Sequence, residues 1–168
     1  WSRQQPFLTL DSETKARGDA ALAALGVPVD APVVTLHVRT IGYSQAIGHR
    51  MRLRNARIAS YGEAVKRLTE QGISVVRLGD RTMERAPDWA GFVDYPFTDA
   101  KSDWMDVYLA ARCRFHIGTS SGMSFVPLMY GRPVVFTNWP TLDQMVCAPS
   151  VITLPKVLLD EAGNVVPF

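Results

Sequence analysis

The chain has no apolar run approaching the roughly 18 residues that cross a bilayer, and nothing at its start reads as a signal peptide. Both absences predict a protein without a membrane span that works in the cytoplasm. There are only two cysteines, Cys113 and Cys147, in apolar surroundings and at no metal-ligand spacing. They predict small buried thiols in a reducing compartment rather than a disulfide framework. A net charge of +2 argues against a nucleic-acid partner bound by phosphate neutralisation. No His, Cys or carboxylate cluster has a spacing suited to metal, and no carboxylate pair resembles a hydrolase site. No Gly-x-Gly-x-x-Gly follows the first predicted strand and no Walker-type lysine turn occurs, which excludes the dinucleotide and P-loop readings. The chain opens on Trp1-Ser2-Arg3-Gln4-Gln5 with no methionine, which predicts a fragment of a longer protein.

What is there is enough for one domain. The 168 residues are 47% apolar and 20% charged, an ordinary globular balance. Asp11 or Ser12 can cap a helix running to about Leu25, ended by Gly26-Val27-Pro28. Residues 1–28 are expected to form an N-terminal segment linking to another domain, and 29–168 a ligand-binding domain. The β-branched run Val33–Val38 predicts a strand covered on both faces. A long loop over 39–55 carries Arg39, His49, Arg50, Arg52 and Arg54. Asn55 is expected to cap a helix bearing Ile58, Tyr61, Val65 and Leu68, which ends at Gly72. Strands follow at 73–78 and 92–95, then a helix over Asp103–Arg112 behind a Ser102 cap. A strand at Phe115–Ile117 leads through a turn to a helix over 121–130 that must bend or start late near Pro127. The strand Val134–Thr137 and the apolar segment Val151–Leu154 complete the pattern. Strands alternating with helices predict an α/β fold, a doubly wound and mostly parallel sheet of Rossmann-like type.

In such sheets the ligand lies beyond the carboxyl ends of the strands. Four marked segments fall there: His37-Val38-Arg39, Gly79-Asp80, Gly118–Gly122 and Asn138-Trp139. Gly118-Thr119-Ser120-Ser121-Gly122 reads as a turn at a helix start, whose free amides and dipole suit an anion. Arg39 offers a planar fork of donors for a diphosphate and for charge developing on a leaving group; otherwise it pairs with Asp80 or Asp94 as structure. His37 is either a catalytic or ligand-facing imidazole or a hydrogen-bonded core residue. Asp80, with Gly79, either accepts from sugar hydroxyls or forms its turn. Arg50, Arg52 and Arg54 read as solvated or facing an acceptor. Asp103 and Asp106 read as helix-start charges, and Trp104, Tyr108 and His116 as core. The pentad also matches Gly-x-Ser-x-Gly with Ser120 at its centre, the pattern of a serine hydrolase. A triad histidine should follow that serine, and none occurs after His116.

Four motifs in order then resemble a family of bacterial proteins assigned as glycosyltransferases. They are His37-Val38-Arg39, Arg77-Leu78-Gly79-Asp80, Lys101-Ser102-Asp103-Trp104-Met105-Asp106 and Phe115–Gly122. His-x-Arg and the Gly-Thr-Ser-Ser-Gly turn also resemble, more distantly, the donor-binding half of fucosyltransferases of the GT-B architecture, which use GDP-fucose. The resemblance implies half of a GT-B enzyme that transfers a sugar from a nucleotide-sugar, a GDP-sugar by preference, to a glycan acceptor without a metal or other cofactor. It implies that Arg39 and His37 serve catalysis. Arg39, Gly118, Thr119, Ser120, Ser121 and Gly122 would bind the diphosphate. Gly79, Asp80 and Asn138 would contact the nucleoside or sugar. The acceptor, and the base for its hydroxyl, would meet a missing N-terminal domain or a partner subunit. A non-catalytic nucleotide- or anion-binding module of the same shape remains the alternative.

Overall fold

Val33-Val34-Thr35-Leu36-His37 is buried at every position, as a strand with helices on both faces requires. The computed structural model describes residues 5–40, 49–141 and 145–166. The stretch 41–48 of the arginine-rich loop, and the side chains of residues 49–51, lie outside the described residues. The run at Val33–His37 is β1. It is joined by β2 (Ser74–Arg77), β3 (Phe92–Val93), β4 (Phe115–Gly118), β5 (Val134–Trp139) and β6 (Val151–Pro155) in one sheet of order β3-β2-β1-β4-β5-β6. Every pairing is parallel. The order reverses between β1 and β4, and that switch point is where such a sheet opens a crevice.

Helices cover both faces. On one, α1 (Ser12–Ala24) and α3 (Asp103–Arg112) bury Leu22, Met105, Tyr108 and Leu109 against Val33 and Val76. Asp11 caps α1, its Oδ1 accepting the Thr14 N–H at 2.7 Å. Although α1 falls in the 1–28 segment, Leu22 and Val27 belong to the same core as β1. A Cβ at Gly18 would collide with the Tyr108 ring, so α1 and α3 approach at contact distance there. The Tyr108 hydroxyl donates to Asp19 at 2.6 Å across that contact. On the opposite face, α2 (Gly62–Glu70) packs Val65 with Ile58 and Tyr61 onto Leu36, Val38 and Val75.

Several local expectations shift. Asn55 does not cap a helix: Ile58–Tyr61 is a single 3-10 turn, and α2 begins only at Gly62. The turn places both Ile58 and Tyr61 in the core, where an α start at Asn55 would rotate their spacing. The third strand is cut to Phe92–Val93 because a 3-10 turn at Tyr95–Phe97 carries Pro96. Past β4, the expected helix is a 3-10 turn, Gly122–Phe125, and one α turn, α4 (Val126–Met129), with Pro127 in its first turn. The arginine-rich stretch is not all loop, since His49–Arg54 forms a 3-10 helix. Cys113 is buried and its thiol is pushed up to about 11, chiefly by that burial, whereas Cys147 is exposed. Among the described residues no helix is long and apolar enough to cross a membrane.

Candidate ligand cleft at the switch point

The carboxyl ends of β1 and β4 are tied to each other through main-chain and hydroxyl groups. Thr119 N–H donates to the His37 carbonyl at 3.0 Å, and Arg39 N–H donates to Thr119 Oγ1 at 2.9 Å. Ala56 N–H donates to the Arg39 carbonyl at 3.0 Å. The Arg39 backbone is therefore fixed on both sides, while its guanidinium makes no hydrogen bond or ion pair among the described residues. Asp94, one of its expected partners, is held instead by Arg77, at 3.0 Å. Asp80 forms no ion pair with Arg39 either. A fixed cation without a partner, at the switch point, is left available to an anion.

A cleft of about 430 Å3 opens at this place. One side is lined by His37, Arg39 and Thr40 from the end of β1, with Ser121, Gly122 and Met123 from the turn after β4. The other is lined by Gly79, Asp80 and Met83 after β2, with Lys101, Asp103 and Asp106 at the start of α3. Gly79 takes φ +145, a backbone angle that favours glycine, and the Met83 side chain packs against it in the cleft wall.

The turn after β4 divides into a buried and an open part. Gly118 lies in β4, where a Cβ would collide with Ser124 and His116. Thr119 is wholly buried and its hydroxyl and amide are already used. Neither lines the cleft, and nor does Ser120; Ser121 and Gly122 do. The amides of Ser120 and Ser121 donate to no acceptor among the described residues. Arg54 explains the exposure of one of them: its Nε and Nη2 hold the Ser120 carbonyl at 2.9 and 2.6 Å. In a trans peptide the N–H points opposite to the C=O. Clamping the Ser120 carbonyl therefore turns the Ser121 N–H away from Arg54. Arg54 thus positions the turn, a role that the sequence did not signal because the clamp joins residues 66 positions apart. Burial, and then the nearby Arg39 charge, pull the Arg54 guanidinium below its usual value. The helix that follows is too short to add much dipole, so charge for an anion comes chiefly from Arg39.

His37 is 5% exposed at the edge of this cleft, with no hydrogen bond at Nδ1. Burial, then the positive charges of Arg77 and Arg39 outweighing Asp80, lower its pKa to about 4. It is neutral at pH 7 and can donate or accept but carries no charge. His116 is wholly buried and bonded through Nδ1 to Thr35 Oγ1 at 2.9 Å; burial and then His37 lower it to about 3. It is the core histidine that its sequence position predicts. Neither imidazole is hydrogen-bonded to Ser120, so no described base activates that hydroxyl.

Asp80 forms the turn expected of it and stands at the cleft. Its Oδ1 accepts from the Thr82 amide at 2.7 Å and from the Thr82 hydroxyl, while the residue also lines the cleft. Asn138 stands apart: its Nδ2 donates to the Tyr61 hydroxyl at 3.0 Å, which in turn meets Thr137 Oγ1 at 2.6 Å. It adopts φ +53 within the irregularity in β5 and does not line the cleft. Asp103 and Asp106 start α3, and both also line the cleft, Asp106 with its Oδ2 2.5 Å from Lys101 Nζ. No group of three His, Cys, Asp or Glu side chains among the described residues is placed to hold a metal ion.

No protein-family model matches the chain, and no curated protein matches it by sequence. Solved structures do. ADP-heptose LPS heptosyltransferase II of E. coli superposes with a TM-score of 0.65 at 15% identity, covering 93% of this chain and 46% of that one. A glycosyl transferase of family 9 from Veillonella parvula gives 0.57 at 13% identity, covering 88% and 42%. The chain spans less than half the length of either neighbour. At these identities the likeness shows the fold: a doubly wound, Rossmann-like domain with the shape of one half of a GT-B glycosyltransferase.

Proposed function

We propose that this chain is the donor-binding half of a glycosyltransferase that takes a sugar from a nucleoside diphosphate and passes it to a glycan hydroxyl. The observation that carries the reading is the Arg39 guanidinium, unpartnered at the β1–β4 switch point in a cleft that Ser121, whose amide is free, also lines. In the reaction, the bond between the anomeric carbon and the β-phosphate oxygen breaks and its electron pair stays on the phosphate. Arg39 offsets that charge, and the amides of Ser120 and Ser121 donate to phosphate oxygens. His37, neutral at pH 7, supplies a hydrogen bond rather than a proton. The new bond forms from the acceptor oxygen, whose proton goes to a base on the other half of the enzyme or on a partner subunit. No cofactor enters this scheme; the nucleotide-sugar is a substrate drawn from a cytoplasmic pool. The motif resemblance favours a GDP-sugar, whereas the E. coli neighbour is named for ADP-heptose.

Calorimetric titration of the chain with ADP, GDP, UDP and TDP and their sugars tests the reading. Binding of at least one diphosphate, lost in Arg39→Ala, is the expected result. Failure of all of them to bind would remove the donor-binding assignment. The hydrolase alternative would return only if a fluorophosphonate probe labelled Ser120.

A further inference from the structure

The cleft is charged unevenly. Its lining holds two cations, Arg39 and Lys101, and three carboxylates, Asp80, Asp103 and Asp106. Lys101 is already bonded to Asp106, which is 8% exposed. Asp103 has no partner among the described residues, and Asp80 Oδ2 has none. The free cation therefore lies on the β1–β4 side and the free carboxylates on the β2–α3 side. Acidic residues at a helix start also favour the dipole, but that accounts for neither Asp80 nor the nine-tenths burial of Asp106. A second observation falls at the same place. His37, nine-tenths buried and bordering the cleft, leaves Nδ1 without a partner.

A diphosphate is repelled by the carboxylate side and must sit against Arg39. What lies across the cleft must then bring hydrogen-bond donors, since ionised carboxylates only accept. We infer that the wall formed by Asp80, Asp103 and Asp106 selects a glycosyl group rich in hydroxyl or ammonium donors and rejects sugars that carry a carboxylate. This rests on the donor-binding reading above and names the class of sugar at that same site. Repulsion between like charges across a partly enclosed cleft is worth roughly a tenfold difference in affinity.

Matched pairs isolate this property: ADP-, UDP- and GDP-hexoses, each against the uronate made by oxidising C6, with the free diphosphates as reference. Titration of the intact chain is expected to show the uronate binding roughly tenfold more weakly than its hexose. The gap should narrow in Asp103→Asn, an exposed position whose loss leaves the core intact, and independently in Asp80→Asn. If a free diphosphate binds but hexose and uronate bind equally, or the uronate more tightly, the inference is overturned while the donor-binding reading stands. If no free diphosphate binds, both are overturned together.

Discussion

Two neighbouring strand ends differ in how far their polar groups are paired: those at the end of β5 are closed off, Trp139 Nε1 apart, and several at β1 and β4 are not. At the end of β5, Thr137 and Asn138 are closed onto the Tyr61 hydroxyl at 2.6 and 3.0 Å, and β6 beyond it is followed by Lys156, bonded to the carbonyls of Leu53 and Asn55. At the ends of β1 and β4, the backbone is equally well tied, yet the Arg39 guanidinium and the Ser120 and Ser121 amides stay open. Buried polar groups in a folded protein are normally satisfied from within. A rigid backbone presenting unsatisfied donors is the arrangement expected of a site, and a closed network that of a brace. The strand ends looked alike as sequence; only the partners separate them.

The largest expected effect concerns the two buried histidines, His37 at the cleft edge and His116 in the core. Their folded pKa values lie below the unfolded value of 6.5, so the stability they contribute is fully present above about 6.5. It is lost as pH falls towards about 4 for His37 and about 3 for His116, by on the order of 3 kcal/mol each. Chemical denaturation at pH 7 and pH 4.5 measures the loss, and His37→Asn should reduce it. Bound diphosphate should raise the His37 pKa, because an anion favours the imidazolium, and leave His116 unmoved in NMR titrations. Equal movement of both would erase the distinction.

Next, Arg39→Ala should cost nucleotide binding about 1.5–3 kcal/mol, the worth of a hydrogen bond to a charged group. Its thermal midpoint should hold, since the guanidinium has no internal partner to lose. Tyr61→Phe should do the reverse, costing about 1–2 kcal/mol of stability by leaving Asn138 unsatisfied, with nucleotide affinity unchanged. Should Tyr61→Phe weaken binding as much as Arg39→Ala does, the brace and the site are one unit. The smallest effect belongs to Arg54→Ala, which frees the Ser120 carbonyl and should lower affinity about fivefold.

The fold was legible because it is written locally. The run Val33–His37, the Ser102 position before Asp103–Arg112, and the glycine-bounded turn after Phe115 each carry their own pattern. That Arg39 and Ser121 line one cleft was also legible, from the rule that ligands collect at strand ends. What was not legible depends on distant partners. Arg54 reaches a carbonyl 66 residues away, and Asn138 is drawn off by Tyr61, 77 residues before it. Asp103 and Asp106 match helix-start charges so well that their cleft-facing position shows only once α3 is set beside β2. Cys147 was misread for the same reason: apolar neighbours in sequence did not become neighbours in space.

Amide and guanidinium NMR during titration with a nucleoside diphosphate tests the central claim most directly. The signals of Ser120, Ser121, Gly122 and the Arg39 guanidinium should shift together, while Asn138 and Tyr61 stay still. Shifts centred on Asn138 and Tyr61, with the Ser120–Gly122 amides silent, would contradict it.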